Sequence, residues 1–100
     1  MYKISKTEEY EDWFSTLRDV QTCARINARL RRVETGNLGD VQPVGENVSE
    51  MRFFFGAGYR IYFIQQGDRL VILLGGGDKS TQPKDIKIAI DLANTLRGVL

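Results

Sequence analysis

Four residues near the middle of the chain, Glu50, Arg52, Arg60 and Tyr62, are of types that can act on a phosphate. A guanidinium fork matches phosphate oxygens, a phenol offers a ring face to a base and a proton to give, and a carboxylate can take a proton. Strand alternation over residues 59–64 puts Arg60 and Tyr62 on one side and Ile61 and Phe63 on the other. The same rule in the preceding strand groups Glu50, Arg52 and Phe54 against Met51, Phe53 and Phe55. The more uniformly apolar set is expected to meet the helices, which leaves Glu50, Arg52, Arg60 and Tyr62 on a common open face. On that placement, replacing Arg60 by alanine should leave the fold intact. The same pattern also fits a solvated face with a cross-strand pair between Glu50 and an arginine.

Two other segments carry chemistry-bearing residues. Gly75-Gly76-Gly77-Asp78-Lys79-Ser80 follows an apolar strand and leads into a helix, as a phosphate-binding loop would. It departs from that motif because Asp78 stands where a glycine must precede the lysine, so an ATPase is not expected. A flexible glycine exit, with Lys79 and Ser80 just beyond the sheet, is one reading, and a turn with a helix cap is the other. Arg25, Arg29 and Arg32 fall at i, i+4 and i+7 on one helix, opposite an apolar stripe, and form a basic ridge. Such a ridge is either a solvated face or a contact for RNA or for an acidic partner segment.

Histidine is absent, which removes the usual neutral-pH proton shuttle and the commonest metal ligand. Cys23 is the sole cysteine, so no internal disulfide or thiolate metal site can form. No metal and no cofactor are expected. Net charge is only +1, but arginines crowd residues 18–32 and acids crowd 33–50, so a local basic face is possible.

Positioning these residues requires a particular order of elements. A short strand over 2–4 precedes a helix that Ser5 and Glu8 have the spacing to cap. Tyr10, Trp13, Phe14 and Leu17 then share one helical face. After a break near Arg18 and Asp19, Cys23, Ile26, Leu30 and Val33 mark a second helix that ends at Gly36-Asn37. A short extended piece over 41–44 is followed by strands over 48–55, 59–66 and 69–74, with Gly56-Ala57-Gly58 and Gly67-Asp68 as turns. Pro83 opens a last helix with Ile86, Ala89, Ile90, Ala93 and Leu96 on its apolar face. The expected order is β-α-α-β-β-β-α, an α+β domain with helices packed on a largely antiparallel sheet. At 100 residues the chain has room for one domain. The composition, 42% apolar and 27% charged, is that of a folded globular domain. No apolar run approaches bilayer length and residues 1–6 lack a signal-peptide core, so a cytoplasmic location is expected.

Read in order, Gly36-Asn37-Leu38-Gly39-Asp40, Ser49-Glu50-Met51-Arg52, Gly58-Tyr59-Arg60-Ile61-Tyr62-Phe63 and Gly75-Gly76-Gly77-Asp78-Lys79-Ser80 resemble the addiction module killer proteins of the RelE/HigB/ParE toxin superfamily. The resemblance runs from about Tyr2 to Leu96. It implies a RelE/ParE-like fold and the toxin of a type II toxin-antitoxin pair, neutralised by a helix-turn-helix antitoxin. For RelE and HigB members it further implies endonucleolytic cutting of messenger RNA on the ribosome. In that reaction a ribose 2′-hydroxyl attacks the adjacent phosphate, which calls for a base, stabilisation of the phosphorane and an acid for the leaving oxygen. By matched motif, Arg52 and Arg60 would bind the phosphate and Lys79 would supply charge or a proton. Tyr62 would stack a base or donate, and Glu50 would be the base. The ridge of Arg25, Arg29 and Arg32, with Ser80, would touch RNA. The same superfamily hosts ParE-like gyrase inhibitors that perform no chemistry, and an inactive antitoxin-binding module is a third reading.

Overall fold

The computed structural model describes residues 1–99. β1 (Lys3–Lys6) leads to α1 (Glu8–Ser15) and α2 (Val20–Glu34); β2 (Val41–Gly45), β3 (Val48–Arg52), β4 (Arg60–Gln66) and β5 (Leu70–Gly77) follow. A 3-10 turn (Lys79–Thr81) then opens α3 (Gln82–Arg97). The five strands form one sheet in the order β1-β5-β4-β3-β2, with β1 parallel to β5 and every other pair antiparallel. The class is α+β, as the element pattern implies.

The extended piece over 41–44 is a full strand, so the order is β-α-α-β-β-β-β-α rather than one strand fewer. Glu46 and Asn47 both take positive φ, 49° and 62°, the signature of a tight primed hairpin turn, and this turn joins β2 to β3. Pro43 is tolerated because β2 is an edge strand. Ser5 does not cap α1, because it lies within β1 opposite Ile72. Thr7 does so instead: its Oγ1 accepts from the Tyr10 N–H at 3.1 Å and donates to the Leu73 carbonyl at 2.7 Å.

Helices cover both faces of the sheet, which overturns the expectation of an open one. On one face Tyr10, Ile26, Leu30 and Val33 pack with Met51, Ile61, Phe63 and Leu73. On the other, Ala89 and Ala93 of α3 pack with Val48, Tyr62, Ile64, Ile72 and Leu74. The reason is legible in β4, where five consecutive residues, Arg60 to Ile64, are buried. A near-continuous buried run marks a strand covered on both sides. Registry does bring the expected residues together: Glu50 lies opposite Tyr62, and Arg52 opposite Arg60. That face is the floor under α3.

Candidate nucleic-acid interface

The strand expected to continue to residue 55 ends at Arg52, and residues 53–59 form the loop to β4. Phe53 N–H donates to the Tyr59 carbonyl and Gly58 N–H to the Phe55 carbonyl, closing the loop on itself. Gly56 and Gly58 supply the positive φ it needs, 56° and 73°. Leaving the strand frees three consecutive phenylalanines from alternation. Phe53 is buried, Phe55 packs edge-on against it at 6.0 Å and tilts against Tyr59, and Phe54 is 74% exposed.

Each ring carries a guanidinium. Arg29 lies over Phe53 at 4.9 Å, Arg25 over Phe55 at 4.8 Å and Arg52 over Phe54 at 5.3 Å, within cation–π range. Two open hollows flank Phe54. One, about 290 Å³, is bounded by Arg25, Arg32, Arg52 and Asp40. The other, about 340 Å³, is bounded by the Gly56-Ala57-Gly58 turn, Arg60 and Lys79. Lys79 reaches this place because its backbone N–H donates to the Ala57 carbonyl, which docks the 3-10 turn against the loop. The two arginine sets that the sequence places on separate elements therefore meet at one end of the sheet, around an aromatic ring.

Within this cluster the candidates differ in freedom. Arg52 is half-exposed and its Nε donates to Asp40 Oδ2 at 3.2 Å, which aims the guanidinium without burying it. Lys79 and Arg32 are exposed, as is Arg25. Arg60 is 8% exposed: Nη1 donates to the Gly58 carbonyl at 2.9 Å, and Nε faces Glu50 Oε1 at 3.5 Å in an ion pair too poorly aligned to be a hydrogen bond. Arg60 borders the hollow while its guanidinium is tied to the Gly58 carbonyl and faces Glu50. Removing it would strip a buried carboxylate of its cation, so the expectation that the fold ignores Arg60 does not survive.

Glu50, Tyr62 and Arg29 are placed differently from expectation. Glu50 is 4% exposed and takes Gln82 Nε2 on both carboxylate oxygens, at 2.8 and 3.1 Å, besides Arg60. It is a strut between β3 and α3, the structural pair that was one of the two readings of the pattern. Tyr62 is 1% exposed and presents no ring face to a base. Burial first, then the charges of Glu50 and Asp85, push its hydroxyl pKa far above the usual value, so it stays protonated at neutral pH. Arg29 is not part of a solvated ridge. Its guanidinium donates to the Leu38, Asp40 and Arg52 carbonyls at 2.6–3.2 Å, and Gly39 is bare so that the chain can pass against it. Burial, then the nearby Arg32, lowers its pKa. Ser80 is exposed, with both its N–H and its hydroxyl donated to Asp78 Oδ1, and these bonds hold the Asp78 carboxyl below its usual pKa.

Phe54 and Gln82 are the residues that sequence reasoning missed. The signal for Phe54 was present, since alternation groups it with Glu50 and Arg52, away from the apolar set. For Gln82 there was none, because its role depends on where α3 docks. Among the described residues no three acidic or cysteine side chains converge as a metal site would require.

No family model matches the chain. It is 47% identical over 94 residues to an uncharacterized protein of Haemophilus influenzae, a match that spans 94% of this chain and 95% of that relative. The chain belongs to the same family as that protein. No helix among the described residues is long and apolar enough to cross a membrane.

Proposed function

We propose that this protein is the toxin of a type II toxin-antitoxin pair, a RelE/HigB-like endoribonuclease that cuts messenger RNA on the ribosome in the cytoplasm. The observation that supports this reading best is the gathering of Arg52, Arg60 and Lys79 around exposed Phe54, with Arg25 and Arg32 continuing the positive surface. A single-stranded nucleic acid needs this combination: cations for its backbone and an aromatic face for a base. In the proposed reaction the Arg52 fork and Arg60 hold the scissile phosphate and stabilise the phosphorane. Lys79, an ionisable donor at the same hollow, protonates the leaving oxygen. Phe54 takes the stacking role that Tyr62 cannot fill from within the core. Glu50 is occupied by Arg60 and Gln82, so solvent water takes the proton of the 2′-hydroxyl as its oxygen bonds to phosphorus and the bond to the 5′-oxygen breaks. A cognate helix-turn-helix antitoxin would silence the protein by laying an acidic or apolar segment across the same surface.

The burial of Glu50 and Tyr62 favours a second reading, ParE-like inhibition of gyrase without chemistry, because two of the five groups expected to act on RNA are fixed inside the fold. Induction in cells separates the two. Early loss of methionine incorporation with new 5′ ends in messenger RNA is the expected result. Early loss of thymidine incorporation with a DNA-damage response would overturn the nuclease reading in favour of gyrase. If neither is inhibited, both fail.

A further inference from the structure

The hollow between α2 and Phe54 holds one acid among its cations. Arg25, Arg29, Arg32 and Arg52 border it, and so does Asp40. A surface that binds phosphate alone is weakened by a carboxylate, because like charges repel. Yet three bonds fix Asp40 in this place. Its backbone carbonyl accepts from the Arg52 N–H at 3.0 Å and from Arg29 Nη2 at 2.8 Å, and its Oδ2 accepts from Arg52 Nε at 3.2 Å. The Asp40 side chain is still 36% exposed, and its Oδ1 has no donor among the described residues. Arg25 and Arg32 are exposed and take no part in the ion pairs found among the described residues, Arg52–Asp40, Arg60–Glu50 and Arg69–Asp68. A fixed acceptor therefore stands beside free donors and an open aromatic ring.

We propose that Asp40 is a specificity-determining residue that selects guanine in single-stranded RNA. This rests on the RNA-binding reading of the surface and adds the base it prefers. With a base stacked on Phe54, the Watson–Crick edge meets Asp40 across the hollow that both residues line. An ionised carboxylate only accepts hydrogen bonds, so it favours an edge with two adjacent donors. Guanine has such a pair in N1–H and the N2 amine. Adenine and cytosine each set a bare ring nitrogen beside their amine, and uracil flanks its single N–H with carbonyls, so all three turn an acceptor lone pair towards the carboxylate. Guanine O6, next to N1 on the ring, accepts from Arg25 or Arg32. Asp40 engages only the Nε of Arg52, which leaves the two Nη groups to the phosphate. At about 290 Å³ the hollow lies at the small end of ligand clefts, which suits one base.

The test is fluorescence anisotropy of the whole protein with labelled oligouridine RNAs that carry one central guanosine, inosine, adenosine or cytidine, all at one ionic strength. The guanosine RNA should bind about tenfold tighter than the adenosine or cytidine RNA, within the range of one bidentate base contact. Inosine keeps N1–H and O6 but lacks the N2 amine, so its RNA should fall between them. Asp40→Asn keeps the side-chain shape and an oxygen for Arg52 Nε, and it leaves the backbone carbonyl in place, so the fold and the aim of Arg52 survive. It should cut the guanosine preference to about twofold or less, while binding of the other RNAs holds or strengthens as a negative charge leaves the surface. A merely structural role would move all four RNAs alike. A guanosine preference that persists in Asp40→Asn therefore overturns the proposal. Binding by the parent protein without preference among the bases also overturns it, and leaves the RNA interface standing. If the parent bound none of the four RNAs, the proposal and the interface would fall together.

Discussion

Removing Arg60 would leave the Glu50 carboxylate buried with Gln82 as its remaining partner. Breaking a buried ion pair from one side costs about 3–5 kcal/mol, and the loose 3.5 Å geometry with Gln82 still in place puts Arg60→Ala near the low end. For a domain of this size that lowers Tm by about 12 °C or more. Adding Glu50→Gln removes the stranded charge and should restore most of the loss, measured by thermal melts of the single and double variants. Equal melting of Arg60→Ala and the parent would show that Arg60 does not hold the carboxylate. Phe54 makes the opposite case. It is so exposed that Phe54→Ala should shift stability by less than about 0.5 kcal/mol. On the proposed function it should weaken binding of a labelled single-stranded RNA by about 1–3 kcal/mol, with Phe54→Trp retaining affinity. Unchanged fluorescence anisotropy titrations for the alanine variant would remove Phe54 from the interface. Residue type alone singled out Arg60 but could not tell a guanidinium aimed at a ligand from one committed to a neighbour. That distinction depends on α3 arriving over Glu50, which no local pattern encodes.

Elements that rest on short-range periodicity were readable, and those that rest on distant partners were not. Tyr10, Trp13, Phe14 and Leu17 specify the inward face of α1: Tyr10 is buried in the core, and the other three are half-buried and pack against it. The start of that helix was misplaced by two residues because Ser5, suited to a cap, is taken by the ladder with β5. Thr7 joins the two elements, capping α1 while its hydroxyl ties the chain to Leu73. Thr7→Ala loses both bonds and should cost about 1–2 kcal/mol, whereas Thr7→Ser should recover most of it. Chemical denaturation of the two variants tests this, and equal stability of both would mean that the link contributes nothing. Arg29 failed as a ridge residue for a similar reason. Its helical phase faces the loop that returns through Gly39 to β2, and the Leu38 and Asp40 carbonyls of that loop take its donors. Helical periodicity cannot foresee an acceptor set that a loop supplies.

At the scale of the whole molecule, the sheet is the middle of three layers, and the glycine triplet is where both outer layers close on bare backbone. The sequence ends the last strand at Leu74 and leaves Gly75-Gly76-Gly77 as a flexible exit or a turn before a helix cap, but β5 continues to Gly77 and pairs with β4 on both sides of an irregularity at Leu74. A β-carbon at Gly76 would strike the Trp13 indole of α1 on one face, and one at Gly77 would strike the Asp85 carboxylate of α3 on the other. Gly75 faces open space, with nothing within 4 Å of its added carbon. Three chemically identical substitutions should therefore separate. Gly75→Ala should be neutral or stabilising by up to about 1 kcal/mol, because alanine restricts the unfolded chain more than glycine does. Gly76→Ala and Gly77→Ala should each destabilise by about 1–3 kcal/mol or more through overpacking, since ring and carboxylate are both held by their own helices. Coupling identifies the layer responsible. Trp13→Leu should relieve Gly76→Ala and leave the cost of Gly77→Ala untouched, giving non-additive stabilities for the first pair and additive ones for the second. Denaturation midpoints for the seven proteins of the two double-mutant cycles and the Gly75 control would measure this. If the three alanine variants melted alike, the triplet would be a tolerant loop, and α1 and α3 would not be registered against each other through β5.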